Sequence, residues 1–192
     1  MNKKNLLTVA LLLISTQSFA SDAIKIRLEK VQGFDETRKE KLLLALEVLE
    51  VTLNSESFRQ KVLNYDYDGN HHFKDTELNN QEVYENILAA SETYKTPSAD
   101  HQASLHLNLY WPRRIHRWGS VGYGYAGQPD IFMNGNYFDI YDTASVAANI
   151  AHEWTHKLGF GHDFRDTPNR EHTVPYAIGD IVEKIIRQDF AD

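Results

Sequence analysis

Three imidazoles and one carboxylate stand within the run His152-Glu153-Trp154-Thr155-His156-Lys157-Leu158-Gly159-Phe160-Gly161-His162. In an α-helix, residues four apart lie about 40° apart around the axis and one turn along it. His152 and His156 can therefore offer nitrogens to one ion at about 2.0–2.1 Å. Glu153 falls beside the same face, where it can accept a proton from a water held by that ion. A third imidazole farther along a straight helix would sit too far away to close a tetrahedron, so the chain must turn back after Leu158. Gly159 permits that turn, because a left-handed backbone costs glycine almost nothing. His162 then approaches from a separate loop. Three protein ligands leave a fourth position for water or substrate, which distinguishes a catalytic zinc site from a closed structural one. Asp163, Glu171 and Glu183 are alternative third ligands of the carboxylate kind, but none combines the glycine turn with this spacing.

The run satisfies H-E-x-x-H-x-x-G-x-x-H at every specified position and resembles the metzincin zinc endopeptidases. The resemblance implies hydrolysis of a peptide or protein substrate, with one catalytic Zn2+ on His152, His156 and His162. Glu153 would take the proton of the attacking water and return it to the leaving amine. It also implies an α+β, metzincin-like fold. That fold has a twisted mixed sheet with a backing helix, an active-site helix along the cleft floor, and a small C-terminal subdomain ending in a helix. One sheet edge, expected within residues 121–134, would take the substrate as an added strand. Gly122 and Gly124 would let its backbone come close, or else mark a flexible hairpin.

The chain departs from the family at the methionine turn, since Met1 and Met133 both precede His162. Thr173-Val174-Pro175-Tyr176 is the nearest equivalent, with Val174 as a smaller, less polarizable floor. On that alignment Tyr176 matches a tyrosine of astacin-like and serralysin-like members, whose phenol would hydrogen-bond the oxyanion of the tetrahedral intermediate. A purely packed tyrosine fits the residues equally well. Asp163 resembles the structural aspartate of adamalysin-like members. The missing methionine motivates a second reading, an exported zinc-binding or interaction protein on this scaffold that has lost turnover. Glu153 argues against it, because a binder has no need of a carboxylate there.

The surrounding pattern supplies elements to hold such a site. Ala147, Ile150, Ala151, Trp154 and Leu158 form an apolar stripe roughly opposite the histidines, behind a cap at Asp142 or Thr143. Ile24, Ile26 and Leu28 alternate with charged residues as a half-buried strand, and Leu105, Leu107 and Leu109 form another. Residues 121–125 and 130–134 suggest two more strands. Helices are expected over 36–53 behind Asp35, from Ser55 with Phe58 and Val62, over 80–93 with Val83, Ile87 and Leu88 buried, and from about Ala177 to Gln188.

Lys3 and Lys4 precede an apolar run from Leu6 to Ile14 and small residues up to Ala20. This reads as a signal peptide over 1–20, giving export to the periplasm or the medium and one catalytic domain over 21–192. Ser21 rather than cysteine follows the cleavage point, and the apolar run is too short to span a membrane comfortably. The net charge of −7, which becomes −9 without Lys3 and Lys4, makes nucleic acid an unsuitable partner, and a monomer is expected. The absence of cysteine rules out disulfides and cysteine-based latency.

Weaker signals remain. Asp66, Asp68, Asn70 and Glu77 occupy calcium-loop positions, but His71 stands where the loop requires glycine and Gly69 is displaced. A solvated turn is the simpler reading of this Ca2+ signal. His71 with His72, and His101 with His106 and His116, could form a second metal site, although their spacing is irregular. Arg113, Arg114 and Arg117 among Trp111, His116 and Trp118 form a basic-aromatic cluster suited to an acidic side chain or to simple stacking.

Overall fold

A computed structural model describes residues 23–67, 78–96, 99–113, 119–163 and 165–189. It is α+β, with a four-stranded mixed sheet and six helices. In chain order these are β1 (Lys25–Gln32), α1 (Glu36–Leu53), α2 (Glu56–Leu63), α3 (Asn80–Leu88), β2 (Gln102–Tyr110), β3 (Gly122–Gly124), β4 (Asp130–Asn134), α4 (Gly135–Ile140), α5 (Thr143–Lys157) and α6 (Val174–Asp189). The proposed signal segment, the calcium positions from Asp68 onward, His71, His72, Arg114, His116, Arg117 and Trp118 lie outside the described residues. No described helix is long and apolar enough to cross a membrane.

Local chemistry accounts for the helix starts. Asp35 accepts a hydrogen bond from the Arg38 amide at 2.9 Å, and Ser55 accepts one from Phe58 at 3.0 Å. Asn79 and Glu82 form a reciprocal capping box on α3. On α1, Leu42, Ala45, Leu46, Leu49 and Leu53 are buried at helical spacing.

The sheet order is β1-β2-β4-β3, parallel except for β3, which runs antiparallel along β4. The two edges differ. Beyond β1, side chains of α1 and its C-cap take up free backbone groups: Ile26 donates to Glu50 at 2.7 Å and Ile24 to Asn54 at 2.9 Å. β3 has one strand neighbour and lines a cleft with its other edge. On β2 the expected alternation fails at Asn108, which is buried because its amide reaches Asp130 at 2.9 Å.

Three other expectations change. Helix α3 ends at Leu88, which is only half-buried, because tertiary partners capture the residues that follow. The Glu92 carboxylate bonds Trp154, and the Thr93 amide bonds the Lys157 carbonyl at 2.8 Å. Helix α6 begins at Val174 rather than Ala177, so the segment expected to be a turn is its first turn. Proline suits that position, where its missing N–H has no helical partner to lose. Finally, α6 is no separate subdomain: Val174, Ile178, Ile181, Val182, Ile185 and Ile186 join the same apolar core as α1, α5 and the sheet.

Candidate metal centre

Helix α5 starts where Asp142 accepts the Ser145 amide at 2.9 Å, and its apolar stripe is buried throughout, Trp154 included. It stops where Gly159 takes φ +96°. There the Gly159 amide bonds the His156 carbonyl at 3.1 Å and Phe160 bonds Thr155 at 3.3 Å. This reversal carries His162 back over the helix. One nitrogen each of His152, His156 and His162 then lies within 4.8 Å of the others, and they form the single such cluster among the described residues. Asp163, Glu171 and Glu183 are outside it.

The imidazoles are oriented by their far sides. His156 Nδ1 faces the Phe160 carbonyl at 2.9 Å, His162 Nδ1 faces the Asp163 carbonyl at 3.0 Å, and His152 hydrogen-bonds the Pro175 backbone. Carbonyls only accept, so Nδ1 of His156 and His162 carries the proton and Nε2 presents a lone pair. His152 and His162 bring their Nε2 atoms to 3.2 Å. Two lone pairs that close repel unless a cation or a shared proton lies between them, so this donor set fits a metal ion. Burial, reinforced by His156 and His162, holds His152 far below the usual imidazole range. Burial takes His156 down to about 4 and also lowers His162. The cluster is thus neutral near pH 7, the state a metal requires.

Glu153 is 4% exposed, and burial pushes its carboxyl up to about 8. The Gly124 amide and the Asn149 side chain hydrogen-bond it, and its Oε2 lies 4.0 Å from His156 Nε2. Here the glycines of β3 show their use. A Cβ on Gly122 would stand 3.0 Å from Glu153 Oε1, and one on Gly124 would stand 2.9 Å from the Glu153 carbonyl. They allow the strand to lie against α5, a role different from either one expected of them.

Tyr176, on the first turn of α6, sets its ring edge-on at 4.7 Å from His152 and 4.8 Å from His162. Burial raises its phenol pKa. Val174, two residues before Tyr176, is fully buried, and Met133 is buried on β4. The cleft has a volume of about 1030 Å³ and is lined by residues of β3, α5 and α6.

Several residues of this region are not singled out by sequence spacing. Lys157 is fully buried, and its ammonium donates to the carbonyls of Asp130 and, at 3.4 Å, Tyr125, tying the β3–β4 connection to α5. A lysine in the last turn of a helix otherwise reads as a solvated charge near the helix dipole. Glu92, also fully buried, accepts from the Trp154 indole at 2.7 Å and the Ser104 amide at 3.0 Å, and pairs with Lys95 at 2.7 Å. Arg170 stacks its guanidinium 4.7 Å from the Tyr176 centroid. Of the second metal-site candidates, the described members are engaged elsewhere: His101 bonds the Leu88 carbonyl and His106 bonds Glu29, while His71, His72 and His116 lie outside the described residues. Of the basic-aromatic cluster, Trp111 packs beneath the Arg38 guanidinium.

Comparison with protein-family models, curated proteins and solved structures returned no match.

The cluster has a pH signature. Unfolded imidazoles take up protons near pH 6.5, whereas burial lowers the folded ones, His156 to about 4 and His152 well below the usual imidazole range. Their contribution is complete above pH 6.5 and drains as pH falls. Glu153 opposes this, because its raised pKa makes the folded state gain as pH falls from about 8. The histidines outnumber it, so metal-free protein should lose stability between pH 7 and 4.5, read as a fall in the urea midpoint. Zinc should raise the urea midpoint at pH 7 and have little effect at pH 4.5, where protons displace it. An equal zinc effect at both pH values would place the ion elsewhere.

Proposed function

We propose that the chain is an exported zinc-dependent endopeptidase of metzincin-like design. One observation carries the reading: three oriented imidazoles converge beside a buried carboxylate in an open cleft along a sheet edge. His152, His156 and His162 would hold the ion, which supplies Lewis acidity that makes water nucleophilic near neutral pH. The positive charge of a bound ion would favour the ionised form of Glu153 against the effect of burial, so that its carboxylate takes the proton of that water and later hands it to the leaving amine. The Gly124 amide and Asn149 keep the carboxylate in place for both transfers. The Tyr176 phenol, beside His152 and His162, donates to the oxyanion. A peptide main chain pairs along β3, which sets its depth in the cleft.

The smaller Val174 in place of a methionine favours a second reading, a zinc-binding protein without turnover. Metal analysis with a casein or peptide cleavage assay separates the two. One zinc per chain with chelator-sensitive cleavage is the expected result. One zinc without cleavage on a broad peptide library would leave the binder, and no zinc would remove both.

A further inference from the structure

Among the described residues that line the cleft, Arg170 is a cation with no carboxylate in ion-pair contact. Its backbone is held by a 3-10 turn (Arg170–His172), where Thr173 donates to the Arg170 carbonyl from both its amide, at 3.2 Å, and its hydroxyl, at 2.7 Å. Its side chain lines the cleft and lies over the Tyr176 ring. No acidic side chain among the described residues lies within ion-pair distance of it, and its buried Nε has no hydrogen-bond partner. The two Nη groups, also without a hydrogen bond, are not buried. The other acidic groups on the α6 wall are already occupied: Asp180 pairs with Lys184 and Glu183 with Arg187, both at 2.6 Å. In a chain of net charge −7, an arginine oriented by backbone and ring, with its donors left over, is an unused anion receptor. A guanidinium held in one orientation keeps the planar fork that matches a carboxylate in a bidentate pair.

We infer that Arg170 selects substrates bearing a carboxylate close to the scissile bond, either an acidic side chain or a free peptide C-terminus. The inference rests on the peptidase reading for its setting, because Tyr176, on which Arg170 stacks, borders His152 and His162. An acidic peptide then finds its counter-charge within the site itself.

The test uses matched fluorogenic peptides with Glu, Gln or Lys on either side of one cleavable bond, each with a free or an amidated C-terminus. The expected ratio of kcat/KM for Glu over Gln, or for free over amidated ends, is roughly tenfold to hundredfold. Arg170→Gln should bring that ratio near one, Arg170→Glu should shift preference to Lys, and Arg170→Lys should keep part of it. The arm that shows the ratio identifies the source of the carboxylate. A wild-type ratio near one in both arms, or a ratio that survives in Arg170→Gln, overturns the inference. Calorimetric binding of the same peptides covers the case in which nothing is cleaved. Glu-dependent or free-end-dependent binding lost in Arg170→Gln would then uphold the receptor while the peptidase reading falls, and equal binding of all peptides would overturn both.

Discussion

If the chain is the proposed zinc peptidase, Glu153→Ala is expected to keep bound zinc and to lower kcat/KM roughly 10²–10⁴-fold, the range for loss of a positioned general base. The carboxylate is not one of the three grouped nitrogen donors, and alanine is the better helix former, so α5 and the metal should survive the change. His162→Ala should behave differently. It removes one of three donors and the loop's anchor on the site, so metal affinity and hydrolysis should fall together. Zinc content measured beside peptide hydrolysis for both variants separates a proton carrier from a ligand. A Glu153→Ala protein with full activity would reject the proposed chemistry, whereas one without zinc would recast Glu153 as part of the binding set.

The largest expected loss of stability lies on the opposite side of the same helix. Trp154 is 1% exposed and its indole donates to a carboxylate that is itself fully buried. Trp154→Ala should cost about 3–5 kcal/mol through the cavity alone. The change also removes one donor from Glu92, which keeps Ser104 and Lys95, so the added cost is that of one hydrogen bond to a charged group, about 1.5–3 kcal/mol. Trp154→Phe separates the two effects, since the ring largely fills the space while the N–H is gone. Urea unfolding of the three proteins should rank Trp above Phe above Ala. Phe equal to Trp would mean that the bond to Glu92 contributes nothing to stability.

Much of the architecture was legible because its causes are local. The α1 and α2 boundaries follow from Asp35 and Ser55 acting on amides three residues away, and leucine spacing set the buried face of α1. Boundaries depart from the local sequence pattern where remote partners intervene. The helix expected to reach Thr93 ends at Leu88, and residues 92 and 93 turn inward to α5. The start of α6 lies earlier than the sequence pattern suggests, because Pro175 suits a turn and a first helical turn equally well.

By itself the sequence determined that two imidazoles share a helix face, that a glycine breaks the helix after them, and that a third imidazole follows at the right distance to return. Helix periodicity and glycine's backbone freedom act over a few residues, so spacing is sufficient to state them. Only the tertiary structure decided how the site is clothed. Glu92 and Trp154 meet across 62 positions, and Lys157 and Tyr125 across 32. Burial and counter-charge depend on which distant segments fold against one another, and such encounters leave no period in the chain.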